Sequence, residues 1–585
     1  MPVQVPVVVS GRDAGVVRAQ ARRWAQWWRG RPGVSVERVA STALWHRSWF
    51  GHRGAVVAGS REEAIERLEA LADGVDAVGV VAPFEVVGED FPGPGEGGVW
   101  VFPGQGSQWE GMGRALLEQS SVFAEAVAVC DAALVPWTGV SVTDLLAGRR
   151  PLAGVEEVQP ALFAMSLGLA AWWRSMGVEP QAVVGHSQGE VAAAVVAGVL
   201  SVEQGARLVA ARSRAVATRC GRGGMAVVGR AHDWVAGRLA GTTLSVAAVN
   251  TATSTVVAGD GHVLDVLLAQ LQAEGVFARR VQVDYASHSA HMDALLPGLA
   301  QELAFLQPRS GDVPLYSTVA GRRIDGTEMD ARYWCANLRQ PVRFDLAAAA
   351  AATDGHVTWV EISPHPVMAM TLDDVTQRHG GSSHGTAHRH RADTTDVLAS
   401  WVRGGLARGD AWPWERVVAR TPAETSLPTY AFHRERYWHA APAGGAAGPP
   451  VRGVDGPDHP WLTRVTPLAT GDGLIVSGGI DAGGAGQQWL REHRVFDTVL
   501  LPGTAILDMV LTAARHAGAT GIDTLTLATP LILPDSGPLQ VQIAVTGIDA
   551  NGCRQATVHT HPGPDTHPDT PWTTHATAQL THRTT

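Results

Sequence analysis

Residues 183–200, VVGHSQGEVAAAVVAGVL, put a short β-branched run, a serine between two glycines and an alanine-rich helical stretch in direct succession. Few folds accept that order. A strand has to hand over to a helix through a turn tight enough to need small neighbours, and Gly185 and Gly189 supply them. Two roles then fit Ser187. It is a nucleophile on a strained elbow, with the Gln188 N–H and the helix dipole available to an oxyanion, or it is a plain N-cap with Glu190 in the first turn. At this point the residues leave both open.

The surroundings extend the pattern. From 99 to about 375 short apolar runs (VWVFPG, AVVGHS, TLSVAAVN, TVVAGD, VTWVEISP) alternate with helical stretches, which predicts an α/β sandwich on a largely parallel sheet. Within it, residues 224–284 are strand-rich with two helices, as a small inserted α+β subdomain would be. Upstream, residues 12–29 form one helical pattern, and SREEAIERLEALADG (60–74) is a second, with Ser60 as N-cap three residues before Glu63 and Gly74 at its end. RGAVVAG between them reads as a buried strand, and FPGPGEGG (91–98) as a domain boundary. The histidine-rich stretch 376–396 reads as a solvated loop, and 440–457 as a linker. Beyond it, short strands with Gly, Asp and Pro turns surround one helix.

Composition narrows the functions. A chain of 585 residues implies two to four domains. A formal net charge of −10 without a Lys/Arg block argues against nucleic acid. Cys130, Cys220, Cys335 and Cys553 lack the spacing of a zinc site or disulfide framework and fit a reducing cytoplasm. The first residues lack a basic, apolar leader, and no uncharged apolar run reaches membrane-spanning length, so a cytoplasmic protein without a membrane partner is expected.

Three further places carry chemistry. VFPGQGSQWEGMG (101–113) sets a glycine-rich loop after a strand, from which Gln105 can offer a second N–H to an oxyanion. DYASHSAHM (284–292) presents His288 as a general base, in competition with His186, His291 and His365. Arg212, on a predicted helix, is either a surface residue or, turned inward, a clamp for a substrate carboxylate.

GQGSQW, VQPALFA, GHSQGE, RSR, GRGGMA, VAAVN, YASHS and VEISPHPVM, in this order, resemble the acyltransferase domain of modular type I polyketide synthases and, more distantly, malonyl-CoA:acyl-carrier-protein transacylases. The resemblance implies Ser187 as nucleophile, His288 as base, the Gln105 and Gln188 amides as oxyanion hole, and Arg212 on the extender carboxylate. It implies a large α/β-hydrolase-like subdomain around a mainly parallel sheet with a small ferredoxin-like subdomain. A main-chain carbonyl, not identifiable from sequence, is expected to orient His288. The domains implied are a ketosynthase–acyltransferase linker of α+β type (1–96), the acyltransferase (97–395, small subdomain about 224–284), a post-acyltransferase linker (396–457) and an incomplete hot-dog half of a dehydratase (458–585).

In this family Tyr285-Ala286-Ser287-His288, with Gln188, accompanies methylmalonyl-CoA; phenylalanine at the third position would fill the space of the methyl group. The reaction implied is ping-pong: coenzyme A leaves a Ser187 ester, and the phosphopantetheine thiol of an acyl carrier protein takes the acyl group, with no bound cofactor or metal. A malonyl-CoA-specific enzyme or an editing hydrolase using the same serine are the alternatives. Without a ketosynthase signature or a phosphopantetheine attachment site, the chain is expected to work with a carrier protein, a ketosynthase and the remaining synthase domains. HRVFDTVLLPGTAILDM (493–509) resembles the dehydratase motif, with His493 and Pro502 matching and Asp497 in place of a glycine. The family's catalytic aspartate lies on a second hot dog outside these residues, so dehydratase activity is not expected from this chain alone.

Overall fold

The computed structural model describes residues 4–86, 97–432, 457–469, 471–484, 487–535, 537–550, 552–562 and 570–581. Most of the expected boundary at 91–98 and of the linker at 440–457, and residues 433–439 of the expected post-acyltransferase linker, lie outside the described residues. The chain divides into two units, Met1–His433 and Arg434–Thr585.

The first unit begins with a three-stranded antiparallel sheet, Val5–Gly11, His52–Ala58 and Val80–Glu85, covered by the helices Ala14–Arg29, Val36–Trp45 and Arg61–Asp73. Ser60 caps the third helix by accepting from the Glu63 N–H, and Gly74 ends it in the left-handed region, as the sequence predicts. Residues near 418–430 return along this layer. The indoles of Trp24 and Trp45 donate to the carbonyls of Pro428 and Val418, and Arg47 donates to that of Leu427.

A six-stranded sheet follows, ordered Arg322–Ile324, Leu315–Ser317, Ala182–Gly185, Val99–Phe102, Thr358–Glu361, Ser382–Gly385, parallel except for the first pair. Strand order reverses at Val99–Phe102, and the crevice at the carboxyl ends of such a switch is where open α/β sheets bind ligands. Phe102 pairs with Gly185, so the GQGSQ loop and the Ser187 turn leave the sheet side by side. The helix Ser121–Thr138 is long and apolar enough to cross a membrane, but its Phe123 packs over Gly168 of the helix Val155–Ser175 inside the unit.

The small subdomain runs strand, helix, two strands, helix, strand from Gly224–Val228 to Ala278–Arg280, in the ferredoxin-like order. Val342–Arg343, from outside 224–284, adds a fifth strand parallel to Ser245–Thr251. One expectation needs correcting: 376–396 is not a solvated loop. It contains the end of the helix Ala369–His379, the edge strand Ser382–Gly385 and the start of the helix Thr394–Arg408. Polar residues disguised the strand, because an edge strand tolerates them. His384 packs on Trp173, and burial pushes its pKa down to about 3.

The second unit is a six-stranded antiparallel sheet around the helix Gly503–His516, whose Ile506, Met509, Val510 and Ala513 meet Val541, Ile543 and Val558 in one core. This is the hot-dog arrangement that the sequence led one to expect.

Candidate active site

Ser187 follows the strand Ala182–Gly185 and precedes the helix Gly189–Val196 with φ +56°, a region costly for a residue with a Cβ. The flanking glycines permit it. A Cβ on Gly189 would lie 2.1 Å from the Phe102 carbonyl oxygen, and one on Gly185 2.2 Å from the Glu190 nitrogen. The N-cap role falls away, since Gln188 holds that position without a side-chain cap. The Ser187 hydroxyl instead donates to His288 Nε2 at 2.7 Å.

His288 also has positive φ, +58°. Its Nδ1 donates to the Gln340 carbonyl at 2.8 Å, and its own N–H to the Leu338 carbonyl at 3.0 Å. A carbonyl only accepts, so the ring proton sits on Nδ1 and Nε2 presents its lone pair to Ser187. Burial first, and the Arg212 charge second, push the imidazole pKa down to about 3, which keeps the ring neutral. Asn337 donates from Nδ2 to the Ser187 carbonyl at 3.1 Å. Residues 337–340 therefore grip both members of the pair.

Arg212 is turned inward from the helix Val202–Ala217 and is 2 % exposed. Its guanidinium donates to Gln159 Oε1 at 3.0 Å and to Ser187 Oγ at 3.2 Å. It has no carboxylate within ion-pair distance among the described residues, and burial lowers its pKa to about 10. A buried cation without a counter-ion is costly unless an anion arrives to pair with it.

A cavity of about 290 Å³ collects these groups. Gln105, Gln188, Tyr285 and Ser287 line it, together with Gln159, Asn250, and apolar walls from Met225, Val227, Val256, Val281 and Val283. Ala286 is not on the wall; its methyl lies in the core against Gly223. The backbone N–H groups of Gln105 and Gln188 take no acceptor among the described residues, so both are free for an oxyanion. The competing histidines are otherwise engaged. His186 pairs with Asn250 and His291 with Asp260, while His365 Nδ1 accepts from the Arg389 N–H.

Sequence reasoning missed part of the support. Glu190 is fully buried and accepts from the Thr318 N–H and hydroxyl, the Tyr333 hydroxyl and Asn337. Burial raises its pKa while these donors oppose the shift. Gln159 and Asn250 stood inside quoted motifs without a role. Glu361, likewise inside the quoted VEISPHPVM, accepts from the Val367 and Met368 N–H groups at the cavity rim, and Asn337 carried no signal.

In the second unit His493 is exposed, and its Nδ1 donates to the Leu500 carbonyl at 2.8 Å. Pro502 caps the helix Gly503–His516. Asp497 has φ +63°, the conformation a glycine would adopt there.

Comparison with known proteins shows what the chain resembles. An acyl transferase domain model matches residues 99–407, a polyketide synthase dehydratase domain model 459–561, and a CurL-like polyketide synthase C-terminal model 6–68. Polyketide synthase GfsE of Streptomyces halstedii is 41 % identical over 98 % of this chain. The chain spans 10–31 % of the length of the curated relatives it matches. The acyltransferase domain from module 8 of the salinomycin polyketide synthase is 38 % identical, with a TM-score of 0.63 over 70 % of this chain and 98 % of that one. The acyl transferase domain of SpnD, solved in complex with 2-(pent-4-yn-1-yl)malonyl, is 30 % identical, with a TM-score of 0.61 over 71 % of this chain and 98 % of that one.

Proposed function

The chain belongs to the acyltransferase-domain family of modular polyketide synthases, and on that premise we propose that it loads a carboxyacyl extender unit, methylmalonyl in preference to malonyl, from coenzyme A onto an acyl carrier protein. Ser187 attacks the thioester carbonyl as His288 Nε2 takes its proton. The negative oxygen of the tetrahedral intermediate meets the Gln105 and Gln188 amides. Collapse expels the coenzyme A thiolate, which takes the proton back from His288, and leaves the Ser187 ester. The phosphopantetheine thiol of the carrier protein then repeats the sequence in reverse. The ketosynthase and the other synthase domains would use the product.

One observation carries this reading: the buried Arg212 guanidinium, without a carboxylate partner among the described residues, 3.2 Å from the nucleophilic oxygen. A single carbon separates the carboxylate from the ester carbonyl in a malonyl group, so a cation in this place suits such a unit. An editing hydrolase would have no use for it. The methylmalonyl preference draws support from Tyr285 and Ser287, which line the cavity beside the apolar side chains of Met225, Val227, Val256, Val281 and Val283. One methyl group in such a pocket is worth about 1–3 kcal/mol, a preference and not an exclusion.

Intact-protein mass spectrometry after brief exposure to methylmalonyl-, malonyl- and acetyl-CoA, with Ser187→Ala alongside, tests the reading. The expected result is a methylmalonyl adduct that the substitution abolishes. A dominant malonyl adduct would keep the reaction and overturn the extender unit, and a folded sample with no carboxyacyl adduct would overturn the reaction.

A further inference from the structure

The Tyr285 side chain does more at the cavity wall than bound it. Its hydroxyl donates to Gln105 Oε1, across 180 residues of sequence. Gln159 lines the same cavity, and its Oε1 accepts from Arg212. Burial raises the phenol pKa to about 12, so the hydroxyl keeps its proton. Arg212, Gln159, Tyr285 and Gln105 therefore share one polar stretch of the cavity lining, in which Arg212 is bonded to Gln159 and Tyr285 to Gln105.

Gln105 is held at a point that needs holding. It stands between Gly104 and Gly106, the latter with φ +133°. Its backbone N–H makes no bond within the described protein, and the turn's own tie is Gly106 N–H to Gln108 Oε1 at 2.7 Å. A glycine-rich segment of this kind has large conformational freedom, and an oxyanion donor has to be placed within a few tenths of an ångström to be effective.

We propose that Tyr285 is a positioning residue for acyl transfer: through its hydroxyl it anchors the Gln105 side chain, and with it the oxyanion loop, to the wall that carries the carboxylate clamp. This deepens the acyltransferase reading and rests on it. It also separates two functions of one side chain. Shaping room for a methyl group needs only the ring; positioning Gln105 needs the hydroxyl.

The test is a double-mutant cycle of Tyr285→Phe and Gln105→Ala, read as single-turnover acylation of Ser187 by saturating methylmalonyl-CoA and malonyl-CoA, with the fold checked by circular dichroism. Gln105→Ala keeps the backbone N–H and removes only the anchor. Each single variant is expected to slow acylation about tenfold for both donors, leaving their ratio and the half-saturating concentration within about twofold. The double variant is expected to be no slower than the slower single one, because both remove the same link. An unchanged rate in Tyr285→Phe, a changed donor ratio without a loss of rate, or additive losses would overturn the positioning role. A wild-type chain that forms no adduct would overturn the acyltransferase reading and this role with it.

Discussion

Ser187 and its partner His288 in the first unit, and His493 in the second, rest on the same orienting device. Each histidine donates from Nδ1 to a main-chain carbonyl at 2.8 Å, Gln340 for one and Leu500 for the other. Each region also contains non-glycine residues with positive φ, Ser187 and His288 in one, Phe496 and Asp497 in the other. What differs is everything around the ring. His288 is 3 % exposed, and its Nε2 meets a hydroxyl beside a buried cation. His493 is exposed, its Nε2 meets no side chain among the described residues, and Phe496 three residues on is 98 % exposed. An oriented imidazole is therefore a component and not a site. Enclosure and a second polar group at Nε2 are what suit His288 to the role of base in the proposed reaction.

The largest effect that tests this contrast is Ser187→Ala. Acylation measured by mass spectrometry should fall by about 10⁴-fold or more, because members of such a unit fail together. The comparison would break if His493→Ala lost acyl transfer to anything like the same extent.

Arg212→Ala comes next. Removing a charge-assisted contact to the substrate carboxylate should lower kcat/KM for methylmalonyl- and malonyl-CoA about a hundredfold and leave acetyl-CoA no worse. Equal losses for all three donors would mean that Arg212 supports the fold and not the carboxylate. The same residue shapes the pH profile. A His288 pKa pushed down to about 3 leaves the base neutral over the whole ordinary range, so kcat/KM should not fall with acidification until well below pH 5. Arg212→Met removes the second cause of that depression, and the acid limb should move to higher pH, still short of the usual histidine value because burial remains.

How much of this was legible in the sequence depends on how local each feature is. The elbow was legible because Gly185, Ser187 and Gly189 meet within one turn, and a small α+β subdomain was legible from strands and helices that succeed one another, its ferredoxin-like form coming from the family resemblance. The partner of His288 was not legible, since Gln340 contributes its backbone and any residue could do so. Glu190 looked like an ordinary first-turn acid, but its helix is buried nearly all round, so the pattern that normally exposes such a residue does not apply. Ser382–Gly385 was read as loop because edge position, not composition, makes it a strand.

Glu190 sharpens the contrast through stability. Its two oxygens accept from Thr318, Tyr333 and Asn337, and Asn337 also holds the Ser187 carbonyl. Glu190→Gln would turn an amide donor toward groups that are themselves donors. Urea unfolding at neutral pH should show a loss of about 1–3 kcal/mol, with slower acylation because the Ser187 turn loosens. A variant as stable as the wild type would show that the network is redundant. Among the described residues, no buried carboxylate supports the exposed turn around His493 in this way.

The smallest expected effect lies in that turn. Asp497 occupies a position where the dehydratase motif has glycine, and a substitution there would be damaging if the turn depended on the absence of a side chain. With φ +63° Asp497 keeps the left-handed conformation, which aspartate tolerates better than most residues, and its carbonyl still accepts from Arg494 Nη1 at 3.2 Å. Asp497→Gly should therefore change stability by no more than about 0.5 kcal/mol, while Asp497→Val should cost about 1–2 kcal/mol. Thermal unfolding of the full chain, followed at the transition of the second unit, measures both. If glycine stabilises strongly, the aspartate strains the turn and the motif is degraded at this point. If valine is tolerated, the left-handed turn is dispensable, and the likeness between the two regions reduces to a histidine on a carbonyl.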